Sequence, residues 1–225
     1  MKYKKQFWVD TLGKGWAIHL KEILNSPYGD KLMNFLEIEY AINNIVPKKE
    51  DIFKAYKLCP WESLKIVILG DVPQVSSEAN GLAFGDSKNT MFRESSLCRL
   101  FECIERNYHD GLCLDFDFTL ENWAQQGVLL LNRSLTRRVE NPTSHKKPWN
   151  KFVSATLNAV NEYAPGTIFI LWGKQAQALA PHIKKHNYVL TYEQPFSIKE
   201  SSWNCPNFKE ADKILINLYG EKIKW

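Results

Sequence analysis

Four short apolar runs alternate with segments of helical periodicity, and this alternation limits the fold more than any other feature of the chain. The order is typical of strands that lie parallel in one sheet and are connected by helices. The sequence therefore predicts an α/β fold, a three-layer sandwich with a central, mostly parallel four-stranded sheet. The predicted strands are Ile66 to Leu69, Val128 to Leu131, Thr167 to Leu171 and Tyr188 to Thr191.

The segments around these runs repeat apolar residues at the spacing of a helix. No internal repeat, low-complexity stretch or Pro/Gly/Ser-rich linker interrupts them, so we expect one domain spanning residues 1–225. The predicted helices are Trp16 to Leu24, Lys31 to Asn44, Ile52 to Lys57, Ser95 to Arg106, Phe152 to Tyr163, a helix after Gly173 that runs through Ile183, and Phe208 to Tyr219.

Composition excludes several classes of protein. The net charge of +4 permits nucleic-acid binding without requiring it, and it argues against an acidic mimic of DNA. The five cysteines are an odd number without metal-like spacing, which favours reduced thiols in a cytoplasmic protein. No secretory signal or membrane-spanning run is found. We therefore expect a cytoplasmic monomer with no metal, no cofactor and no membrane partner.

The ends of the predicted strands mark the expected ligand site. In parallel sheets, ligands bind outside the carboxyl ends of the strands. Gly70, Asn132, Trp172 and Tyr192 each follow one predicted strand. The four segments are therefore expected to converge on one crevice.

Six sequence blocks, in order, carry a resemblance to a known family. The first runs from Lys65 to Phe84 and contains Gly70, Pro73 and a closing Gly-Leu-Ala-Phe. The chain resembles the family 1 uracil-DNA glycosylases over nearly its whole length. The other blocks are WAQQGVLLLN at 123–132, LTRR at 135–138, SHK at 144–146, ILWGKQAQ at 170–177 and NCPNFKEA at 204–211.

The resemblance implies a pocket for a base flipped out of DNA. Phe84 matches the aromatic ring that stacks on the base, and Asn132 matches the amide that reads its polar edge. The family's water-activating Asp falls on Val72, and its His falls on Tyr192. The Tyr that blocks thymine falls on Gln74, which would open the pocket. Because valine cannot accept a proton, the resemblance predicts that no catalytic group is intact and that the fold is retained for binding.

An active glycosylase with altered catalytic residues or altered base choice remains the alternative. Asp71 lies one residue before the family's Asp position, and Glu193 lies one residue after its His position. In an extended segment, a shift of one residue turns a side chain to the opposite face. Neither carboxylate is therefore expected to reach the family's catalytic position, although Asp71 is counted with Gln74, Phe84 and Asn132 among the residues of the base pocket.

If the fold is retained for binding, the partner is either DNA, bound weakly, or a protein for which the chain serves as scaffold or regulator. The divergent sequence, rich in Lys, Asn and Ile, suggests a viral, phage or mobile-element origin. Acidic Glu94, Glu193 and Glu200 would oppose phosphate binding. By resemblance, Phe196 is the wedge that fills the gap left by the base. The other DNA-contacting positions implied are Ser96, His145, Lys146, Gly173, Lys174, Pro195 and Ser197.

Overall fold

The computed structural model describes residues 2–74, 79–87, 96–108, 116–195 and 203–225. Within these ranges, the predicted strands form one four-stranded sheet. The described strands, numbered in chain order, are β1 (Ile45–Val46), β2 (Ile66–Gly70), β3 (Val128–Asn132), β4 (Arg137–Arg138), β5 (Ile168–Trp172) and β6 (Tyr188–Tyr192). Strands β2, β3, β5 and β6 form the four-stranded sheet.

The sheet has the order β3-β2-β5-β6, and all its neighbouring strands are parallel. Every residue of β2, β3 and β5 is buried, as expected where helices cover both faces of a parallel sheet. The predicted α/β fold class is therefore confirmed. In the register, Gly70 lies opposite Asn132, and Trp172 lies opposite Tyr192.

The helices cover this sheet and fill much of the rest of the described chain. They are α1 (Lys2–Leu12), α2 (Lys14–His19), α3 (Lys21–Leu24), α4 (Pro27–Ile42), α5 (Lys54–Leu58), α6 (Ser96–Tyr108), α7 (Glu121–Gln125), α8 (Lys146–Tyr163), α9 (Lys174–Gln177) and α10 (Asn207–Tyr219). None of the helices in the described ranges has both the length and the hydrophobicity required to span a bilayer.

Several predicted helices differ from those observed. Helix α4 begins at Pro27 rather than at Lys31, and α8 begins at Lys146 rather than at Phe152. The segment from Trp16 to Leu24 is divided into α2 and α3 at Leu20. The helix after Gly173 ends at Gln177, and a short 3-10 turn follows at Ala180–His182. Pro181 lies in that turn, and proline lacks the N–H that would continue an α-helix.

A small antiparallel pair lies apart from the main sheet. Strand β1 pairs with β4, and Val46 lies opposite Arg137. This pairing brings Arg137 to the loop that follows β2, where its guanidinium donates to the carbonyl of Pro73 over 2.9 Å.

Candidate active site

The carboxyl ends of all four strands contribute to one cavity of about 190 Å³. This volume lies below the range of about 300–1,000 Å³ that is usual for drug-sized ligands, so the cavity suits a small planar group. The crevice expected from the strand ends is thus present. It is lined by Leu69, Gly70, Asp71, Phe84, Arg133, Trp172, Gln175, Ala176, Gln194 and Pro195.

Gly70 ends β2, and the side chains of Asn132 and Ala83 lie close to it. A β-carbon at this position would lie 2.4 Å from Oδ1 of Asn132 and 2.9 Å from the β-carbon of Ala83. The Asn132 side chain is buried, and within the described ranges its amide makes no hydrogen bond. An amide with donors and acceptors unpaired is suited to read a polar edge.

Phe84 provides an aromatic wall of the cavity. Its backbone has a φ of 68°, which is uncommon for a residue with a side chain. The ring packs edge-to-face on Trp172, with centroids 5.7 Å apart. Trp172 is itself fixed, because its Nε1 donates to Oδ1 of Asn207 over 3.0 Å.

Asp71 brings a carboxylate to the cavity. The loops after β2 and β3 run side by side, since Arg133 N donates to Gly70 O and Ser134 N donates to Asp71 O, each over 3.0 Å. Lys146 donates to Oδ2 of Asp71 over 2.6 Å. The other oxygen, Oδ1, is buried and accepts no hydrogen bond from the described chain. It lies 3.9 Å from Nη1 of Arg133.

The resemblance counts Asp71 as a base-pocket residue, while strand alternation predicts that it does not reach the family's catalytic position. That argument assumed an extended segment, but Asp71 and Val72 lie in a bend directly after β2. Alternation of side chains therefore ends at Gly70, and Asp71 lines the cavity. Neither Val72 nor Tyr192 is among the described residues that line the cavity. The Tyr192 ring instead packs edge-to-face on Trp203, at 5.9 Å.

Gln74, predicted in the pocket, and Pro195, predicted to contact DNA, take different places. Gln74 does not line the cavity but lies beside it, and its Nε2 donates to the carbonyl of Phe84 over 3.3 Å. Pro195 lines the cavity as part of the segment after β6. Glu193 is exposed and, within the part of the chain described, is not a lining residue.

His145 is buried, and this contradicts its predicted role in contacting DNA. Its side chain is 1% exposed, and both ring nitrogens are engaged. Nδ1 lies 2.7 Å from Oγ1 of Thr136, and Nε2 lies 3.0 Å from Oε2 of Glu39. Because Trp149 donates to the same Thr136 oxygen, the threonine hydroxyl can donate to Nδ1. Nε2 then carries the hydrogen that Glu39 accepts.

Burial lowers the pKa of His145, which favours this neutral form. The hydrogen bond from Arg138 lowers the pKa of Glu39 to about 2. His145 therefore positions the start of α8, and with it the neighbouring Lys146, rather than touching a phosphate.

Of the remaining predicted DNA-contacting residues, Ser96, Gly173 and Lys174 are described but do not line the cavity, and the others lie outside the described ranges. Lys174 is exposed at the start of α9, next to Gly173, whose φ is 81°. Ser96 is the first residue of α6 and is partly buried. Phe196 and Ser197 lie outside the described residues, as do Glu94 and Glu200.

Two arginines near the cavity were not singled out from the sequence. Arg133 lines the cavity, and its Nη1 donates to Oε1 of Gln175 over 2.9 Å. Arg137 is fully buried, and its guanidinium donates to the carbonyls of Pro73 and Gln74. Arginine is usually exposed, so a single sequence gave no signal for either position beyond their place after a strand.

The fold and the cavity define an α/β protein with a small aromatic-walled site at the ends of a parallel sheet. Comparison with known proteins identifies the group. Residues 56–216 match the family profile described as the uracil DNA glycosylase superfamily. The chain belongs to this superfamily.

Relatives match over almost the full length. The uracil-DNA glycosylase of Mycoplasmopsis pulmonis is 36% identical over 210 residues, covering 91% of this chain and 93% of that protein. The uracil-DNA glycosylase of Amoebophilus asiaticus is 32% identical over 220 residues, covering 96% and 99%. The crystal structure of mimivirus uracil-DNA glycosylase superposes with a TM-score of 0.81 at 20% identity, covering 94% of this chain and 86% of that one.

These relatives contradict the prediction that the chain is not an enzyme and is retained for binding alone. Proteins that share about a third of its residues over nearly its whole length are named as glycosylases. The prediction rested on Val72 and Tyr192 at the family's catalytic positions, and it set aside Asp71 and Glu193 as substitutes. The comparisons also give no support to a phage or mobile-element origin.

Proposed function

We propose that this protein is an active DNA N-glycosylase with altered catalytic residues. It hydrolyses the bond between deoxyribose and a base that has been flipped out of the helix, and uracil is the first candidate base. The observation that carries the proposal is the Asp71 carboxylate, which lines the cavity with one buried oxygen that accepts no hydrogen bond within the described chain.

In this proposal, Phe84 and Asn132 hold the base. The Phe84 ring lines the cavity and offers a face for stacking. The buried Asn132 is not among the described lining residues, but its amide lies against Gly70, which is, and in this proposal it reads the polar edge. Gln74 stands where the family has the tyrosine that blocks thymine, and it lies beside the cavity rather than in it. Choice among pyrimidines is therefore the property in which this chain would differ from its relatives.

Asp71 provides the negative charge that the breaking sugar bond requires. As the bond between the sugar and the base lengthens, positive charge develops on the sugar, and a nearby carboxylate stabilises it. The carboxylate can also accept a proton from the water that attacks the sugar carbon. Lys146 pairs with Oδ2 and leaves Oδ1 for these tasks.

DNA would be held by groups around the mouth of the cavity. Lys174 is exposed beside Gly173, and the buried Pro195 lines the cavity. A cation in this place would contribute the salt-dependent part of the affinity. Weak, salt-sensitive binding is therefore part of the proposal, and His145 has no part in it.

The proposal is tested with single- and double-stranded oligonucleotides that carry one uracil. We expect the protein to generate an abasic site, which is quantified after alkaline cleavage under single-turnover conditions. Asp71→Asn keeps the shape of the side chain but removes its charge. It should lower the rate by about 10²- to 10⁴-fold, the range typical of a lost acid–base group.

Asp10→Asn is the matched control. Asp10 is an exposed carboxylate on α1 that accepts a hydrogen bond from Gln6, and it should not affect the rate. A panel with thymine, hypoxanthine and 5-substituted uracils covers altered base choice. Release of none of these bases by the unaltered protein would refute the proposed function. Equal rates for the protein and for Asp71→Asn would refute the role of Asp71.

A further inference from the structure

The departing base is stabilised by a hydrogen-bond donor, and the residue at the family's position for that donor does not line the described cavity here. When the bond between sugar and base breaks, the electron pair goes to the base, which leaves as an anion. Hydrogen-bond donors aimed at such a developing charge are a large source of rate enhancement. Tyr192, at the family's position for this donor, packs on Trp203 and is absent from the described lining of the cavity.

Arg133 is the only lysine or arginine among the described residues that line the cavity. It directly follows Asn132, and its backbone N–H donates to Gly70 O over 3.0 Å. The backbone at the root of the side chain is thus fixed to the adjacent strand end. Because its backbone is held in this way, Arg133 presents its side chain from a fixed position, as electrostatic stabilisation requires.

The guanidinium of Arg133 bridges two sides of the cavity. Nη1 donates to Oε1 of Gln175, which follows β5, over 2.9 Å. The same nitrogen lies 3.9 Å from Oδ1 of Asp71. Its side chain is 40% exposed, so the guanidinium is open to a ligand. A guanidinium has five N–H donors, and Gln175 takes only one of them.

We propose that Arg133 is the catalytic cation that stabilises the departing base, which we infer to be a pyrimidine with carbonyl oxygens adjacent to the bond that breaks. This inference rests on the proposed function. Gln175 holds the guanidinium, and the free N–H groups donate to a carbonyl oxygen of the base as it gains negative charge. Asp71 faces the sugar, and Arg133 faces the base.

The atoms and charges balance in this scheme. The sugar–base bond breaks, and its electron pair passes to the ring nitrogen and spreads to the carbonyl oxygens. Water forms the new bond to the sugar carbon, and its proton passes to Asp71. The base anion then takes up a proton from solvent, and Asp71 releases its proton. The products are an abasic sugar and the neutral base.

A comparison of two leaving groups tests the role of Arg133. 5-Fluorouracil is a more acidic ring than uracil and needs less help to leave as an anion. We expect Arg133→Gln to slow uracil release about 10²-fold, as for the loss of one preorganised donor. The loss on 5-fluorouracil should be clearly smaller. Arg133→Lys, which keeps the charge, should recover part of the rate on uracil.

Lys184→Gln is the matched control. Its side chain is 44% exposed, and it pairs with Glu162 near the amino ends of the strands, away from the cavity. This variant should release both bases at the unaltered rate.

The alternatives give different results. If Arg133 only contacts a phosphate, Arg133→Gln will slow both bases equally and lower the salt slope of DNA binding by about 1, and the proposal is refuted. An equal loss on both bases with an unchanged salt slope indicates a structural role and also refutes it. If the unaltered protein releases neither base, the failure lies in the proposed function and not in Arg133 alone.

Discussion

At the position of Gly70, the strand end and the Asn132 amide lie closer together than any side chain would permit. The position of an added β-carbon is 2.4 Å from Oδ1 of Asn132, well inside contact distance. Gly70 therefore does more than end β2. It allows the amide that is proposed to read the base to lie directly against the backbone of the loop that carries Asp71.

Gly70→Ala should displace the Asn132 amide and slow excision. Overpacking of this kind usually costs about 1–3 kcal/mol of stability. The free energy of unfolding from denaturant titration, together with the single-turnover rate, measures both effects. In an Asn132→Ala background the contact with Oδ1 is removed, so Gly70→Ala should cost less there. An equal cost in both backgrounds would show that the contact with Asn132 is not the cause.

At the scale of elements, the loop after β2 is held by a buried arginine on β4. Arg137 donates from Nε to Pro73 O over 2.9 Å and from Nη2 to Gln74 O over 2.8 Å. A third bond runs from Nη1 to Val139 O over 3.1 Å. Burial lowers the pKa of this guanidinium. No carboxylate within the described chain pairs with it to offset that effect. The planar fork of donors thus fastens the loop that presents Asp71.

Arg137→Met should release this loop. The carbonyls of Pro73 and Gln74 lose their donors, which costs about 1–3 kcal/mol when such groups stay buried. Removing a buried charge offsets part of that cost, so excision should suffer more than stability. Arg137→Lys keeps the charge but lacks the fork, and it should restore little. Thermal unfolding and excision rates measure the two effects, and full activity in Arg137→Met would contradict this account.

A second element-scale link fixes the start of α8. Glu39 on α4 accepts hydrogen bonds from Arg138, two of them at 2.8 Å, and from His145 at 3.0 Å. His145 immediately precedes α8, and Lys146 is its first residue. The network therefore sets the place from which Lys146 reaches Asp71.

The same network makes the stability of the whole molecule depend on pH. Glu39 has a pKa lowered from 4.5 to about 2, and burial lowers the pKa of His145 below 6.5. In both cases the unfolded chain binds more protons than the folded one, so stability falls as the pH falls. The contribution of His145 is complete above pH 6.5 and is lost below it. That of Glu39 is complete above pH 4.5 and is lost towards pH 2.

Glu39→Gln should flatten the stability curve between pH 4.5 and 2. It should also lower stability near neutral pH by about 1–3 kcal/mol, because Arg138 and His145 lose a charged acceptor. Urea titrations at a series of pH values give the curve. Glu162→Gln, which removes a surface partner of Lys184, is the control, and surface pairs contribute about 0–1 kcal/mol. An unchanged acid limb in Glu39→Gln would contradict the assignment.

The sequence allowed most of the fold to be predicted, but only part of the candidate site. Each strand of the four-stranded sheet was placed to within one residue, because β2, β3 and β5 are buried parallel strands and appear as continuous apolar runs. The short strands β1 and β4 were not predicted. The cavity at the strand ends followed from the same pattern. Of the four residues that the resemblance placed in the base pocket, Asp71 and Phe84 line the cavity, whereas Gln74 and Asn132 lie beside it.

The failures have a common physical cause. His145 is buried because Glu39, 106 residues away, accepts its hydrogen bond, and no local pattern reports such a partner. Asp71 was judged by strand alternation, yet the chain bends directly after Gly70. The positions of Arg133 and Arg137 are set by contacts between the loops that meet beside the cavity. Side-chain direction beyond a strand end is set by tertiary contacts, which a single sequence does not carry.

Trp172 gives the protein an optical signal of its own. The indole lines the cavity, lies edge-to-face between Phe84 and Trp203, and is almost fully shielded from solvent. Indole emission responds to the polarity and to the stacking partners of its surroundings. If a base enters beside this ring as proposed, the contribution of Trp172 to the ultraviolet emission of the eight tryptophans should change, and occupancy can be followed without attaching a dye.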